Sequence, residues 1–547
     1  MESFGCCCDA KKPDEPIQIV HQPPEPEPLD CKWQGAHSSI ETSKESCGSE
    51  LTGHLNAREL RLQSMNLLEV DVSIIRRISV AASLRARGRL WLSSPADLDE
   101  TTRSKLWHKS QPGDHFDIFF SHSWKTRGVW KVLSLLFQYG WPHILTCWAG
   151  VVTLVFILCC FGLLPAPLTM VMSVLDFHQS DMQFTPWVYL SGGISALLSL
   201  LFAPYVMHWS PQCFLDVVSI NQIDPELTER GIYGLGGFLS ISRELHVLWS
   251  QPYLSRLWCI FELAAFRKAN PHGRVVMKPL FVERQAFLMM LGNYLAAAIY
   301  LSLFAFPGTT ILNYLPMVVA VTLAPLFIIV HGNRIFMREK YQLIADLDRF
   351  QLEEADCLLE EDRQFILTCI REWYGSEEEF TKYVRGDLRQ ELLDMSAIDL
   401  PLSYGLVIIL GPLGVALDVI AAMIHHHASM QSVLSELIGS ALAWTCFGTL
   451  LCLKLMWWLC DYFAARHSSS LLDLGISLFI FLIVFMVYAS SAVISAVVYP
   501  VTLWGAVAYS LVGLFLVGLI YGRRLSLSSI LQTNMLHRCL QRSPSGA

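Results

Sequence analysis

Charge is scarce in this chain. Only 16% of its 547 residues are Asp, Glu, Lys or Arg, against 53% hydrophobic residues, whereas a soluble domain carries about 25% charged residues. So little charge excludes an ordinary water-soluble globule. No Cys-x-x-Cys pair occurs, which removes the basic spacing of zinc ribbons and thioredoxin-type centres. There is no basic excess either: the net charge is −8, and nucleic acid is not an expected partner. No long apolar run precedes Gly140, so no cleavable signal peptide is expected. Glu2 rather than Gly follows Met1, which excludes myristoylation.

What is there is a series of apolar runs. They lie at about 141–164, 184–207, 286–306, 310–331, 402–424, 435–459, 470–491 and 495–521, each close to the ~20 residues needed to cross a hydrocarbon core. Lipid cannot satisfy exposed backbone groups, so helices are expected. Segments 165–183, 307–309, 425–434 and 492–494 contain no Lys or Arg, and Lys454 alone among the basic residues falls inside a span. The positive-inside rule then puts the large polar segments and both termini in the cytosol. The expected class is a polytopic α-helical membrane protein with about eight spans, a cytosolic α/β flavodoxin-like parallel-sheet domain and a helical cytosolic insert. Which membrane it occupies is not encoded in these patterns.

Along the chain, residues 1–50 have the Pro, Glu, Ser and Lys content of a disordered tail. Within it, Cys6, Cys7 and Cys8 are either acylation sites or part of an unmodified tail. Residues 51–110 read as an amphipathic helical segment, with Leu60, Met65, Leu68, Val72 and Ile75 at helical spacing. Its arginines 76, 77, 85, 87 and 89 suit either anionic lipid or packing against the neighbouring domain. Membrane hairpins are expected at 141–207 and 286–331, a helical insert at 332–400, a four-helix membrane bundle at 402–521 and a tail at 522–547. The insert reads as helices at about 334–354, 360–374 and 377–395. Gly375 stops the second, and Ser376-Glu377-Glu378-Glu379 forms a capping box for the third.

Residues 116–139 and 213–282 alternate between strand and helix patterns. Phe116–Phe120 is the first strand, followed by the loop Ser121-His122-Ser123-Trp124. A helix over 127–139 then presents Val129, Leu133, Leu136 and Phe137 and stops at Gly140. Further strands are expected at Cys213–Val218, Leu245–Trp249 and Val275–Val282, with a helix at 255–269. Strands separated by helices imply a parallel sheet. The run Tyr253-Leu254-Ser255-Arg256-Leu257-Trp258-Cys259-Ile260-Phe261-Glu262-Leu263 resembles the Toll/interleukin-1 receptor (TIR) domain of plant type, which has Tyr, Ser and then Trp-Cys-x-x-Glu-Leu at this spacing. Phe116–Ser121 and Leu227–Ile232 look like the first strand and the loop after the second strand of that family. The likeness covers under a fifth of the chain. It departs from the family in the Ser-His-Ser-Trp-Lys loop and in lacking a counterpart of the last TIR strand and helices. Asp216–Asp224 also resembles the fungal heterokaryon-incompatibility domain.

In an open sheet of order 2-1-3-4, ligands bind beyond the carboxyl ends of the strands where the order reverses. The loops leaving strands one and three, Ser121–Lys125 and Ser250–Glu262, therefore converge. By resemblance Glu262 is the catalytic carboxylate of NAD cleavage, with Ser121, His122, Trp124, Lys125, Ser250 and Trp258 as substrate-binding residues. The resemblance implies two activities. One is hydrolysis of the nicotinamide–ribose bond, with NAD as substrate and no cofactor or metal. The other is assembly with its own copies or other TIR-like domains, without catalysis. The rival function is a transporter or channel with a regulatory cytosolic domain, for which Gly411-Pro412 is the one hint. Ionisable residues within spans are functional candidates. Asp418 and Lys454 differ too much in depth to pair, and Lys454 is expected to reach the cytosolic face or Asp473. Asp418, His425, His426, His427 and Glu436 gather at the outer end, either as a proton- or metal-responsive group or as plain surface residues.

Overall fold

The strand Phe116–His122 is buried along its length apart from Asp117, as a strand must be when both faces of its sheet are covered. Among the described residues it is the third of eight: β1 (Arg76–Ser79), β2 (Gln111–Pro112), β3 (Phe116–His122), β4 (Leu168–Val174), β5 (Phe177–Phe184), β6 (Gln212–Phe214), β7 (Ser242–Trp249) and β8 (Arg274–Pro279). The computed structural model describes residues 57–64, 66–207, 210–302, 311–391, 399–466 and 469–522, and side chains within these except 311–322. The expectations for the two tails, for Cys6–Cys8 and for Met65 lie outside the described residues.

Six strands form one sheet in the order β2-β1-β6-β3-β7-β8. Its parallel part, β6-β3-β7-β8, has the expected 2-1-3-4 order, with Ile118 beside Cys213 on one side and Glu244 on the other. β1 adds to the edge of β6 in antiparallel sense and carries β2 beyond it. The sequence pattern missed these two. After the helix Ala57–Ser64 the chain makes a single 3-10 turn at Val72–Ile74 and enters β1, so the expected amphipathic helix is short. Arg76 bonds Ser110 and lies over Trp107 at 4.7 Å, both within the same 51–110 segment.

The helix after β3 does not stop at Gly140. It runs as α1 (Gly128–Cys160) for 33 residues through Pro142. Gly140 instead allows close approach to α2 (Trp187–Val206), since a Cβ there would lie 3.2 Å from that of Ala203. Of the expected apolar face, Leu136 and Phe137 are buried and Leu133 packs against the core, but Val129 is 51% exposed, and Lys131 and Ser134 join the buried side. Next come α3 (Leu257–Ala269), α4 (Leu280–Ser302) and α5 (Ile311–Asp348). β8 ends at Pro279, so Leu280–Val282 belongs to α4 rather than to the strand.

The insert contributes α6 (Glu360–Tyr374), ended by Gly375 at φ 87°. A helix at Glu377–Tyr383 follows, and its Ser376 cap accepts from the Glu379 N–H. The expectation for these two helix starts holds. The first insert helix is simply the end of α5. Beyond lie Leu402–Ile408, α7 (Leu410–His425), α8 (Met430–Tyr462), α9 (Ser470–Val498) and α10 (Leu503–Gly522).

Among the described residues six helices are long and apolar enough to cross a membrane: α1, α2, α4, α8, α9 and α10. Leu402–Ile408 and α7 make a seventh if their 51° bend is counted as one span. This is fewer than the eight expected. The segment 310–331 runs into α5, whose first side chains are outside the described residues and whose later part carries charge. The turn between the last two helices is at 499–502, not 492–494.

β4 and β5 form a separate hairpin between α1 and α2. It touches two other connections at the same end of the bundle. Leu175 N–H donates to Pro500 O at 2.8 Å, and Ser429 and Ser432 both donate to Asp176.

Candidate functional site

β3 ends in Ser121 and His122, and consecutive strand residues point to opposite faces. Each therefore anchors its own polar group. On one face, Ser121 is buried and its Oγ donates to the Glu262 carboxylate. The Tyr253 hydroxyl lies 2.5 Å from the same Oγ, with Tyr253 fully buried under the loop that follows β7. Since a serine has one proton to give, the chain of donation runs from Tyr253 to Ser121 to Glu262. Glu262 reaches this point because it sits in the second turn of α3, which begins where the β7 loop ends.

On the other face, His122 faces Asp216, Lys131 and Trp124. Its Nε2 is 3.7 Å from Asp216 Oδ1, and its Nδ1 is 3.3 Å from Lys131 Nζ. The Trp124 indole N–H donates to Asp216 Oδ2 at 2.7 Å, while the Lys131 ammonium lies 4.5 Å from the Trp124 ring centre. Asp216 follows β6 and also accepts from the Val217 N–H.

Burial dominates the electrostatics of both groups. It pushes the half-buried Glu262 up to about 8, against the lowering effect of the Ser121 bond and with a further push from Asp216. It lowers His122, aided by the Lys131 charge. Asp216, which burial alone would raise, is held below the usual carboxylate range by His122, Trp124 and its backbone bond. Burial carries the Cys259 thiol and Tyr253 phenol well above their ordinary values, so neither is a ready nucleophile.

Three of the expected substrate-binding residues, Ser121, His122 and Trp124, thus join Glu262 around the end of β3. The other three are engaged elsewhere. Ser250 bonds Thr126. Lys125 forms an ion pair with Asp356 at 2.9 Å, and the Trp258 N–H lies 3.3 Å from Asp362. Both of those partners belong to the insert, which clasps the β7 loop. Asp356 N–H donates to Ser255 O at 2.7 Å and Leu257 N–H donates to Asp356 O at 3.0 Å. α6 then packs on α3 through Phe365 and Trp373 against Phe261, and Tyr374 donates to Ala264 O.

An open cleft of about 590 Å³ lies at the opposite, amino ends of the strands, between Ile241 and Gly273. It contains none of the candidate residues. The charged and hydroxyl groups converge instead at the carboxyl ends.

No family model, curated protein or solved structure matches this chain. The geometry therefore stands on its own residues. Sequence reading missed Lys131, Asp216, Asp356 and Asp362 as members of the site. Lys131 left a weak trace, a lysine at the buried phase of an otherwise apolar helix. The two insert aspartates left none.

At the far end of the bundle, Asp418 accepts from Thr185 Oγ1 and from the first helical N–H groups, Val188 and Tyr189, at 2.9–3.0 Å. It caps α2 from a neighbouring helix. His425 and His426 contact the carbonyls of Cys160 and Gln183, and no group of three metal-ligand side chains occurs among the described residues. Lys454 pairs with Asp399 over the Tyr521 ring. Asp473, its expected partner, is held by Arg334 and Arg338.

Proposed function

We propose that the chain is a multi-pass membrane protein, with the bilayer as its constant partner and both termini in the cytosol. We read the parallel sheet as a flavodoxin-like, TIR-like signalling domain. It acts through TIR-type assembly and cleaves the nicotinamide–ribose bond of NAD when the insert is displaced. One observation carries this reading: Ser121 at the end of β3 is hydrogen-bonded to Glu262 on the helix after β7, where the strand order reverses.

The chemistry suits a single carboxylate. The glycosidic C–N bond breaks, its electron pair leaves with nicotinamide, and the ribose becomes an oxocarbenium ion. An adjacent carboxylate stabilises that charge until water adds to the sugar carbon and loses a proton. Burial favours the protonated form of Glu262. A cationic pyridinium ring beside it favours the anion, so substrate itself supplies the active ionisation state. Trp124 offers a stacking surface, and the insert residues Asp356 and Asp362 hold the cover. The test is NAD turnover by the full-length protein in detergent or nanodiscs, alone and clustered. Turnover that disappears in Glu262→Gln supports the enzyme. Self-association with no turnover in any state leaves assembly alone.

The rival function, a transporter or channel, draws on the 51° break at Ile409 and the π-helical stretch Leu437–Gly448 within α8, since broken helices frequent transport sites. Against it, the one carboxylate within α7, Asp418, lies nine residues beyond that break and is occupied as a cap of α2. Solute flux in proteoliposomes is the discriminating measurement.

A further inference from the structure

A groove of about 460 Å³ opens between α8, α9 and α10, within the 300–1,000 Å³ range of small-molecule sites. Its lining contains no charged residue. The polar side chains are Ser490, Ser491 and Tyr509, and the last two bond each other at 2.5 Å, with Tyr509 also donating to Ser491 O at 3.0 Å. That arrangement uses the tyrosine proton on a carbonyl and the serine proton on the tyrosine. It leaves lone pairs on both oxygens for an incoming donor.

The hydroxyl pair lies near one end of the helices. Ser491 and Tyr509 are eight and seven residues from the 499–502 turn, about 10–12 Å along the axis. Ile483 and Leu516, at the other end of the groove, are roughly 20 Å from that turn. One wall is the π-helical part of α8, where the widened turn departs from regular helix packing; such segments recur at functional sites. Gly448 keeps this wall close to the pair, since a Cβ there would meet Ser491 Oγ at 3.0 Å.

We propose that this groove binds a sterol-class lipid, with its single hydroxyl on the Ser491–Tyr509 pair and its apolar body directed inward toward Ile483 and Leu516. The shape asks for a neutral ligand with one polar group at one end. A phospholipid brings a charged headgroup that no lining residue answers. The inference rests on the proposed membrane insertion but not on the enzymatic reading.

The test uses the full chain in nanodiscs of phosphatidylcholine with a photoactivatable cholesterol analogue, and maps labelled peptides by mass spectrometry. Labelling should fall on α9 and α10 around Ser491 and Tyr509, and unlabelled cholesterol should compete it. Tyr509→Phe should weaken competition about tenfold, the worth of one hydrogen bond in apolar surroundings. Val512→Trp, at a lipid-facing position, should abolish labelling by filling the groove, while Val501→Trp beyond it should not. Equal labelling by a photoactivatable phosphatidylcholine acyl chain, or labelling unchanged in both Tyr509→Phe and Val512→Trp, would overturn the proposal. Extraction of the chain from membranes by alkaline carbonate would instead overturn the membrane reading beneath it.

Discussion

Glu262 holds a proton that most surface carboxylates have lost, and this has two measurable consequences. The ionised form needed to steady an oxocarbenium ion appears in the free protein only as pH rises toward about 8. For NAD cleavage kcat/KM should therefore climb from pH 6 through 8 and level off above about 9, and a profile flat across this range would remove Glu262 from the reaction. Glu262→Gln should reduce turnover by about 10² to 10³, the equivalent of roughly 3–4 kcal/mol of charge stabilisation. Stability should move the opposite way. Between the ordinary carboxyl value of 4.5 and about 8, the folded chain binds a proton that the unfolded chain has released, so stability declines as pH rises through that window. Thermal melts of the wild type should show this slope, and Glu262→Gln should lack its share of it. Asp418 has the reverse character, being a residue whose value is structural. Asp418→Ala leaves two helix N–H groups unanswered, while the Thr185 hydroxyl keeps Cys159, and should cost about 1–3 kcal/mol. Asp418→Asn keeps an acceptor and should cost less. Melting temperatures in detergent distinguish the two.

Elements were legible where their signals are local. β3, β7 and α6 carry their own apolar runs, and Gly375 and Ser376 punctuate the insert as their residue types demand. β1 was hidden because four residues become a strand only through the edge of β6. Lys131 and Ser134 went unnoticed on the buried side of α1 because their partners, His122 and Glu283, come from other elements. The site follows the same division. Glu262 was named through the TIR resemblance and Ser121 beside it because the sheet order predicts where loops meet, whereas Asp356 comes from a segment about a hundred residues further on. That segment now invites a test at its own scale. Asp356→Pro removes the N–H given to Ser255 O and should loosen the clasp by about 1–3 kcal/mol. Hydrogen exchange at the start of α3 should quicken, and NAD turnover should rise if the enzyme reading holds. Unchanged exchange would show that the packing of α6 on Phe261 alone secures the insert.

Across the whole molecule, three connections gather at one end of the bundle: the β4–β5 hairpin, the loop before α8 and the turn at 499–502. The sheet and insert lie toward the opposite helix ends, because β8 leads into α4 without a linker and α5 leads into the insert. Tags at positions 175 and 429 should therefore be shielded from the cytosol, and tags at 230 and 360 should be reachable. A cytosolic tag at 175 would dismiss the first hairpin.

β3 and β6 are hydrogen-bonded neighbours, yet the chain between them travels out along α1, through the β4–β5 hairpin and back along α2. α1 is a rod of about 50 Å with its base immediately after the loop leaving β3, and Pro142 is the place where it can yield. Such a rod is a mechanical lever. A tilt of α1 against α2 would be felt at the sheet as shear between these two adjacent strands, beside Ser121 and Asp216.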